Sequence, residues 1–289
     1  MNKQIPLNSF FIIFCLAIVL VVFCIWENNY VVITNYTYVN SKIPEEFNNY
    51  KILHISDLHN KNYHGRLLNK IRKINPDVIV ITGDLIDRRR TKIDVAVELA
   101  EQVVRIAPTY YVSGNHEQLS GEYSVLKKRL KQANIHIIDN SYALLNKGEI
   151  GIGLLGIADP TIQQSERDYL FQDNSKYMKR AIEEVSKGVN TSFNILLSHR
   201  PEQFQSYKDM RVDLVFSGHA HGGQVRLPFL GGLYAPNQGM LPKYTEGIYK
   251  KGATSMVVSR GLGNSSFPLR VFNQPELVVV TLEKESNSQ

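Results

Sequence analysis

An α/β fold of two sheets with helices outside, preceded by one N-terminal transmembrane helix, is predicted by three observations. Residues Phe10–Trp26 (FFIIFCLAIVLVVFCIW) carry no charge. From Lys51 to Ser217 short apolar runs alternate with segments of helical spacing, and beyond Ser217 the pattern turns strand-rich. Five of the apolar runs each end in a cluster of metal-ligating residue types.

The uncharged run has the length of a short membrane span, which needs roughly 17–25 apolar residues. No A-x-A-like cleavage site follows Trp26, where the chain continues Glu27-Asn28-Asn29-Tyr30. Phe23, before Cys24, is too large for lipoprotein processing. The expectation is an uncleaved anchor over residues 1–29, rather than a core helix or a cleaved signal. Lys3 and the terminal amine precede the span and Glu27 follows it, which puts the N-terminus in the cytoplasm and the main domain outside.

Tyr30–Val39, rich in β-branched and aromatic residues, reads as a leading strand, and Ser41–Asn49 with Pro44 reads as a loop. The main domain is expected over residues 51–283. Lys51–Ile55 is a strand; Leu67, Leu68, Ile71 and Ile74 have helical spacing; Pro76 ends that helix before the strand Asp77–Thr82. Ile93–Ala107 is a helix with its stripe at Ala96, Leu99, Ala100, Val103 and Val104, and Tyr110–Ser113 is a strand. Leu126, Leu130 and Ala133 mark a further helix. Ile135–Ile138, Tyr142–Leu145 and Ile150–Ile157 read as strands, with a polar helix within about residues 165–187. Phe193–Ser198, Val212–Ser217, Met256–Ser259 and Glu276–Leu282 are strands around a Gly-rich stretch, Gly222–Ala235, and residues 284–289 are a tail expected to fray.

A chain of 289 residues buries a large core without disulfides, and both cysteines, Cys15 and Cys24, lie in the apolar span. That excludes a thiolate-ligated metal in the rest of the chain. The net charge of +6 suits an anionic surface or substrate. Nucleic acid is disfavoured, because the one dense basic run, Arg88-Arg89-Arg90, has no aromatic interleaving.

The five clusters are Ser56-Asp57-Leu58-His59, Thr82-Gly83-Asp84, Ser113-Gly114-Asn115-His116-Glu117, Ser198-His199-Arg200 and Ser217-Gly218-His219-Ala220-His221. Each follows a strand, and loops at the carboxyl ends of strands form the crevice of open α/β sheets. An oxygen and imidazole set without sulfur suits Mn²⁺, Fe²⁺ or Zn²⁺. A shared carboxylate bridges two ions about 3.5–4 Å apart, and such a pair keeps residual positive charge for a phosphate anion. His54, inside a strand, reads as a core residue and His136 as structural or surface; His64, in the loop after His59, is a candidate to approach substrate.

The string Asp57-Leu58-His59, Gly83-Asp84-Leu85-Ile86-Asp87, Gly114-Asn115-His116-Glu117, His199, Gly218-His219-Ala220-His221 resembles the calcineurin-like metallophosphoesterase superfamily over about Lys51–Leu282. The Gly222-Gly223-Gln224 continuation and the anchor are similar to bacterial membrane-associated members, which include wall-associated phosphoesterases and a UDP-2,3-diacylglucosamine diphosphatase. The resemblance implies a four-layer αββα sandwich of two mixed sheets flanked by helices. It implies two divalent ions, manganese first and zinc or iron as alternatives. Asp57, His59, Asp84 and His221 would hold one ion; Asp84, Asn115, His199 and His219 would hold the other, with Asp84 bridging. A metal-bound hydroxide would attack phosphorus in line, with His116 beside the leaving group. Asp87 would orient a ligand or His116, and Arg88 and Arg200 would touch substrate phosphate or form structural ion pairs. The expected protein is a single-pass phosphoesterase of a bacterial cell membrane with an extracytoplasmic catalytic domain, hydrolysing a phosphodiester or diphosphate of a small or lipid-linked molecule. A lipid diphosphatase of the UDP-2,3-diacylglucosamine type and a non-catalytic metal-containing interaction module are the alternatives. Phe229, Leu230, Phe267 and Leu269 are candidates to contact a lipid.

Overall fold

The computed structural model describes residues 7–163, 172–265 and 267–285. Its strands are β1 (Val32–Asn40), β2 (Tyr50–Ile55), β3 (Val78–Ile81), β4 (Thr109–Tyr111), β5 (His136–Ile137), β6 (Ser141–Lys147), β7 (Ile150–Ile157), β8 (Asn194–Ser198) and β9 (Leu214–Ser217). Four two-residue strands follow, β10 (Arg226–Leu227), β11 (Gly231–Gly232), β12 (Tyr234–Ala235) and β13 (Gly239–Met240), then β14 (Gly247–Lys251), β15 (Thr254–Val258) and β16 (Glu276–Lys284). The helices are α1 (Leu7–Asn29), α2 (Arg66–Ile74), α3 (Ile93–Val103), α4 (Asn115–Leu119), α5 (Tyr123–Gln132), α6 (Ser175–Ser186) and α7 (Phe204–Asp209).

Two mixed six-stranded sheets form the centre among the described residues, in the orders β1-β16-β2-β3-β4-β5 and β14-β15-β9-β8-β7-β6. Strands β2, β3, β4 and β5 run parallel, as do β7, β8, β9 and β15. Strand alternation divides each apolar run between two cores. Ile52, Val78, Val80 and Val280 of one sheet meet Leu154, Ile195, Leu197 and Phe216 of the other. On the outer face of the first sheet, Leu53, Ile55, Ile79 and Ile81 pack under Leu67, Ile71, Leu99, Val103 and Leu126 of α2, α3 and α5. On the outer face of the second, Leu155, Leu196, Val215 and Met256 pack under Met178, Ile182, Phe204 and Tyr207 of α6 and α7. Both faces of both sheets are therefore covered, which is why the central strands read as unbroken apolar runs.

The structure departs from the sequence reading in places. Strand β16 continues to Lys284, past Leu282, because β1 runs parallel beside it to Asn40. The polar helix is α6, while residues 164–171 and 286–289 lie outside the described residues. The Gly-rich stretch contains the small ribbon β10–β11 and starts a second, β12–β13, which closes beyond Ala235. Strand β14 was not predicted: its half-exposed edge sequence GIYKK lacks an apolar run. Helices α4 and α7, five and six residues long, are too short to show a period.

Helix α1 has 23 residues, about 35 Å at 1.5 Å per residue. Its apolar side chains from Phe11 to Val22 are exposed, and only its last turn, at Glu27 and Asn28, is buried against the domain. It is long and apolar enough to cross a membrane.

Candidate metal centre

All five clusters fall at the carboxyl ends of β2, β3, β4, β8 and β9. Parallel pairing puts those ends side by side, and backbone bonds tie the loops together: Asp57 N–H to Gly83 O, 3.0 Å, and His59 N–H to Asp84 O, 3.0 Å. Asp57, His59, Asp84, His219 and His221 all have positive φ, at 52°, 45°, 52°, 65° and 48°. A left-handed residue other than glycine costs about 1–2 kcal/mol, and such strain concentrates at functional sites. Two glycines are demanded by close approach. A Cβ on Gly114 would stand 2.2 Å from Asp84 Oδ1, and one on Gly218 would stand 1.9 Å from Ser56 Oγ and 2.3 Å from Asp57 Oδ2.

The side chains gather in two groups that share Asp84. Asp57, His59, Asp84 and His221 form one, and Asp84, His199 and His219 the other, each with ligand atoms within 4.8 Å of one another. In the first, His59 Nε2 and His221 Nε2 are 3.1 Å apart, and His221 Nε2 lies 3.4 Å from Asp57 Oδ1. In the second, His219 Nδ1 is 3.1 Å and Asn115 Oδ1 3.2 Å from His199 Nε2. Asp84 Oδ2 stands between the groups, 3.5 Å from His59 Nε2 and 3.2 Å from His199 Nε2.

These distances suit metal ions. Two nitrogens bound at about 2.1 Å to one ion, at a right angle, sit about 3 Å apart. On His199 and His219 the ring nitrogens facing away are engaged as ligating histidines require. His199 Nδ1 donates to the Thr82 carbonyl at 2.6 Å, and His219 Nε2 donates to Asn237 Oδ1 at 2.9 Å, so Nε2 of one and Nδ1 of the other aim lone pairs inward. The protein alone leaves the cluster in conflict. Burial opposes the His199 charge, yet the Asp84 carboxylate lifts its pKa to about 10, while burial and the neighbouring His199 push His219 down to about 3. Burial, then Asp84, raises Asp57, whereas the histidines hold Asp84 well below the usual carboxylate range against its burial. Two buried carboxylates crowded among imidazoles are what a divalent cation relieves.

His116 starts the turn of α4 just after Asn115. Its backbone N–H donates to Asp84 Oδ1 at 2.8 Å, and its Nδ1 accepts the Arg88 backbone N–H at 3.1 Å. Nε2 therefore carries the proton in the neutral ring, and burial, pushing the pKa down to about 3, keeps the ring neutral. Its ring meets His59 edge-on, centroids 4.4 Å apart. Asp87 lies between them, Oδ2 3.8 Å from His59 Nδ1 and 3.7 Å from His116 Nδ1. Arg88 reaches the cluster through its backbone. Arg200 is fully buried under the site, where Nε and Nη2 grip Asp159 at 2.7 and 3.0 Å, so it occupies the structural ion pair rather than a phosphate contact. His54 is a core residue bonded to Thr82 Oγ1 at 2.7 Å, while His136 and His64 are exposed.

Four supports escaped the sequence reading. Buried Glu117 accepts the N–H groups of Gly114, Asp84 and Ile86, at 2.8, 2.7 and 3.2 Å, and so clamps two ligand loops. Its signal was its place in the Gly114-Asn115-His116-Glu117 string, to which no role was attached. Asp159 holds Arg200, Asn237 orients His219, and Asn273 Nδ2 donates to the His221 carbonyl at 2.7 Å. None of these three carries a motif.

The family profile described as calcineurin-like phosphoesterase matches residues 50–223. The uncharacterized metallophosphoesterase YkuE of Bacillus subtilis (strain 168) is 32% identical over 258 residues, covering 86% of this chain and 85% of that one. The uncharacterized metallophosphoesterase Cj0846 of Campylobacter jejuni is 34% identical over 275 residues, covering 92% of this chain and 68% of that one. The crystal structure of TT1561 of Thermus thermophilus superposes with a TM-score of 0.50 at 14% identity, covering 74% of this chain and 90% of that one, which is a likeness of fold.

Proposed function

The chain belongs to the calcineurin-like phosphoesterase family, metal-dependent hydrolases of phosphoester bonds, and from that premise we propose a membrane-anchored enzyme that cleaves a phosphodiester or diphosphate. The observation that carries this reading is the buried pair of ligand groups sharing Asp84, with the His116 ring edge-on against His59. Asp57, His59 and His221 would hold one divalent ion, and Asn115, His199 and His219 the other, with Asp84 common to both. A carboxylate, carboxamide and imidazole set favours manganese, with zinc or iron as alternatives. Bound there, the two ions supply an acidified water as nucleophile and positive charge against the phosphate oxygens.

The chain's own residues do the rest. Thr82 O and Asn237 Oδ1 fix the tautomers of His199 and His219. Glu117 holds the Asp84 and Asn115 loops at a fixed separation. His116 presents its Nε2 proton to the leaving oxygen, and Asp87, standing between the His59 and His116 rings, orients them. Helix α1 supports the reading of a single-pass anchor, and the flanking charges favour a catalytic domain outside a bacterial membrane. A substrate that is itself membrane-linked fits that tether.

The test is turnover of bis-p-nitrophenyl phosphate by the full chain with Mn²⁺. His116→Ala should lower kcat by about 10²–10⁴-fold with metal content unchanged. Asp84→Asn should lose both activity and bound metal. Wild-type turnover in either variant would contradict the assignment.

A further inference from the structure

The metal end of the domain is also the end at which helix α1 joins it. Helix α1 hands over to β1 at Val32, whose N–H donates to Pro275 O at 2.8 Å, beside the start of β16. Strand β16 is antiparallel to β2, with Val278 opposite His54, so its start lies at the end of β2 where Asp57 and His59 follow. Hydrogen bonds reinforce the placement. Glu27, in the last turn of α1, accepts the Asn273 N–H at 2.8 Å, and Asn273 in turn holds the His221 carbonyl. Asn28 Oδ1 accepts the Arg270 N–H at 3.0 Å and the Asn264 Nδ2 at 2.9 Å. The next residue after Asn264, Ser265, has its Oγ 3.5 Å from His116 Nε2.

Two loops beside this helix end leave large apolar side chains in solvent: Leu227, Phe229 and Leu230 on one, Phe267, Leu269 and Phe272 on the other. The loops are joined by the Arg226 N–H to Val271 O bond, 2.9 Å. Phe272 continues directly into the anchor, its ring 5.4 Å from that of Phe23. Phe229 and Phe272 are also held at positive φ, 69° and 50°, a conformation unfavourable for bulky residues and here not offset by burial. Around the same helix end sit the stacked rings of Trp26 and Tyr30, 5.5 Å apart, with the Lys70 ammonium 5.2 Å from the Tyr30 ring. Aromatic rings and cations at a helix end are the composition of a headgroup layer.

We propose that this apolar rim is a second membrane contact, entering the leaflet at which α1 meets the domain, so that the metal centre faces the lipid headgroups. The proposal rests on the reading of α1 as a membrane span. Continuity with that helix favours a bilayer as the occupant over a protein.

The experiment uses the full chain with Cys15→Ser and Cys24→Ser, reconstituted in phosphatidylglycerol-containing vesicles and carrying one environment-sensitive label on Ile18→Cys, Phe229→Cys or Lys187→Cys. Lys187 follows the end of α6 ahead of β8, at the end of the sheets away from His199. Nitroxide lipids quench by depth. The label at 18 should be quenched by deep nitroxides, and the label at 229 by shallow ones, at least about threefold more than the label at 187, as insertion near the headgroup–acyl boundary requires. Leu230→Cys should repeat the result at 229. Quenching at 18 with a label at 229 and 230 as silent as at 187 would overturn the rim contact and leave the anchor standing. No quenching at 18 would remove the premise and the proposal together.

Discussion

At the scale of residues, the site is a balance between buried carboxylates and imidazoles, held in strained backbone by neighbours that carry no chemistry themselves. Arg200 and Asp159 show how such support works. Both are fully buried and bonded twice, so removing Asp159 leaves Arg200 only the longer Glu202 pair at 3.6 Å. Asp159→Asn should therefore destabilise the chain by about 3–5 kcal/mol in denaturant titration, whereas simultaneous apolar replacement of both should cost much less. The Arg200 guanidinium, working against burial, holds the Asp159 carboxyl below its usual range. Its contribution is present above the unfolded carboxyl pKa of about 3.9 and is lost as the pH falls through the lower folded value. Gly218→Ala probes the ligands directly. The new Cβ would collide with Ser56 Oγ and Asp57 Oδ2, so the Mn²⁺ concentration for half-maximal activity should rise at least about 10-fold, alongside an overpacking cost of about 1–3 kcal/mol in stability.

At the scale of elements, each ligand loop follows a strand, and the strands were readable because both of their faces are buried. The five clusters could be found by eye for the same reason: each ligand lies within a few residues of a strand end. What holds the ligands was not readable, because the partners are distant in sequence. Asp159 meets Arg200 across 41 positions, and Asn273 meets His221 across 52. Nor does spacing reveal that Asp84 stands between the two groups; that expectation came with the family resemblance. Strand β14 and the helices α4 and α7 stayed hidden because a half-exposed edge and a single turn leave no periodic signal. Asn273 is the sharpest element-scale test, since this one residue joins the α1 end through its backbone N–H and the His221 loop through its side chain. Asn273→Ala should weaken Mn²⁺ binding about 10-fold, measured by titration calorimetry on the full chain, although Asn273 is not among the residues expected to touch the ions. Unchanged affinity would assign it to loop packing alone.

At the scale of the whole molecule, two mixed sheets bring loops from both halves of the chain to one end, and α1 joins the domain at that same end. On the proposed reading of α1 as an anchor, the phosphoesterase works beside the surface that holds it. The central claim is that two ions, bound by seven side chains with Asp84 in common, make the active centre. The most direct test takes the full chain in detergent, strips it with chelator, and titrates Mn²⁺ back while bound metal and the rate on bis-p-nitrophenyl phosphate are followed together. The account predicts no rate in the stripped protein and a rate that rises with the second equivalent, reaching its plateau at two ions per chain. Turnover that survives chelation, or a plateau at one ion per chain, would contradict it.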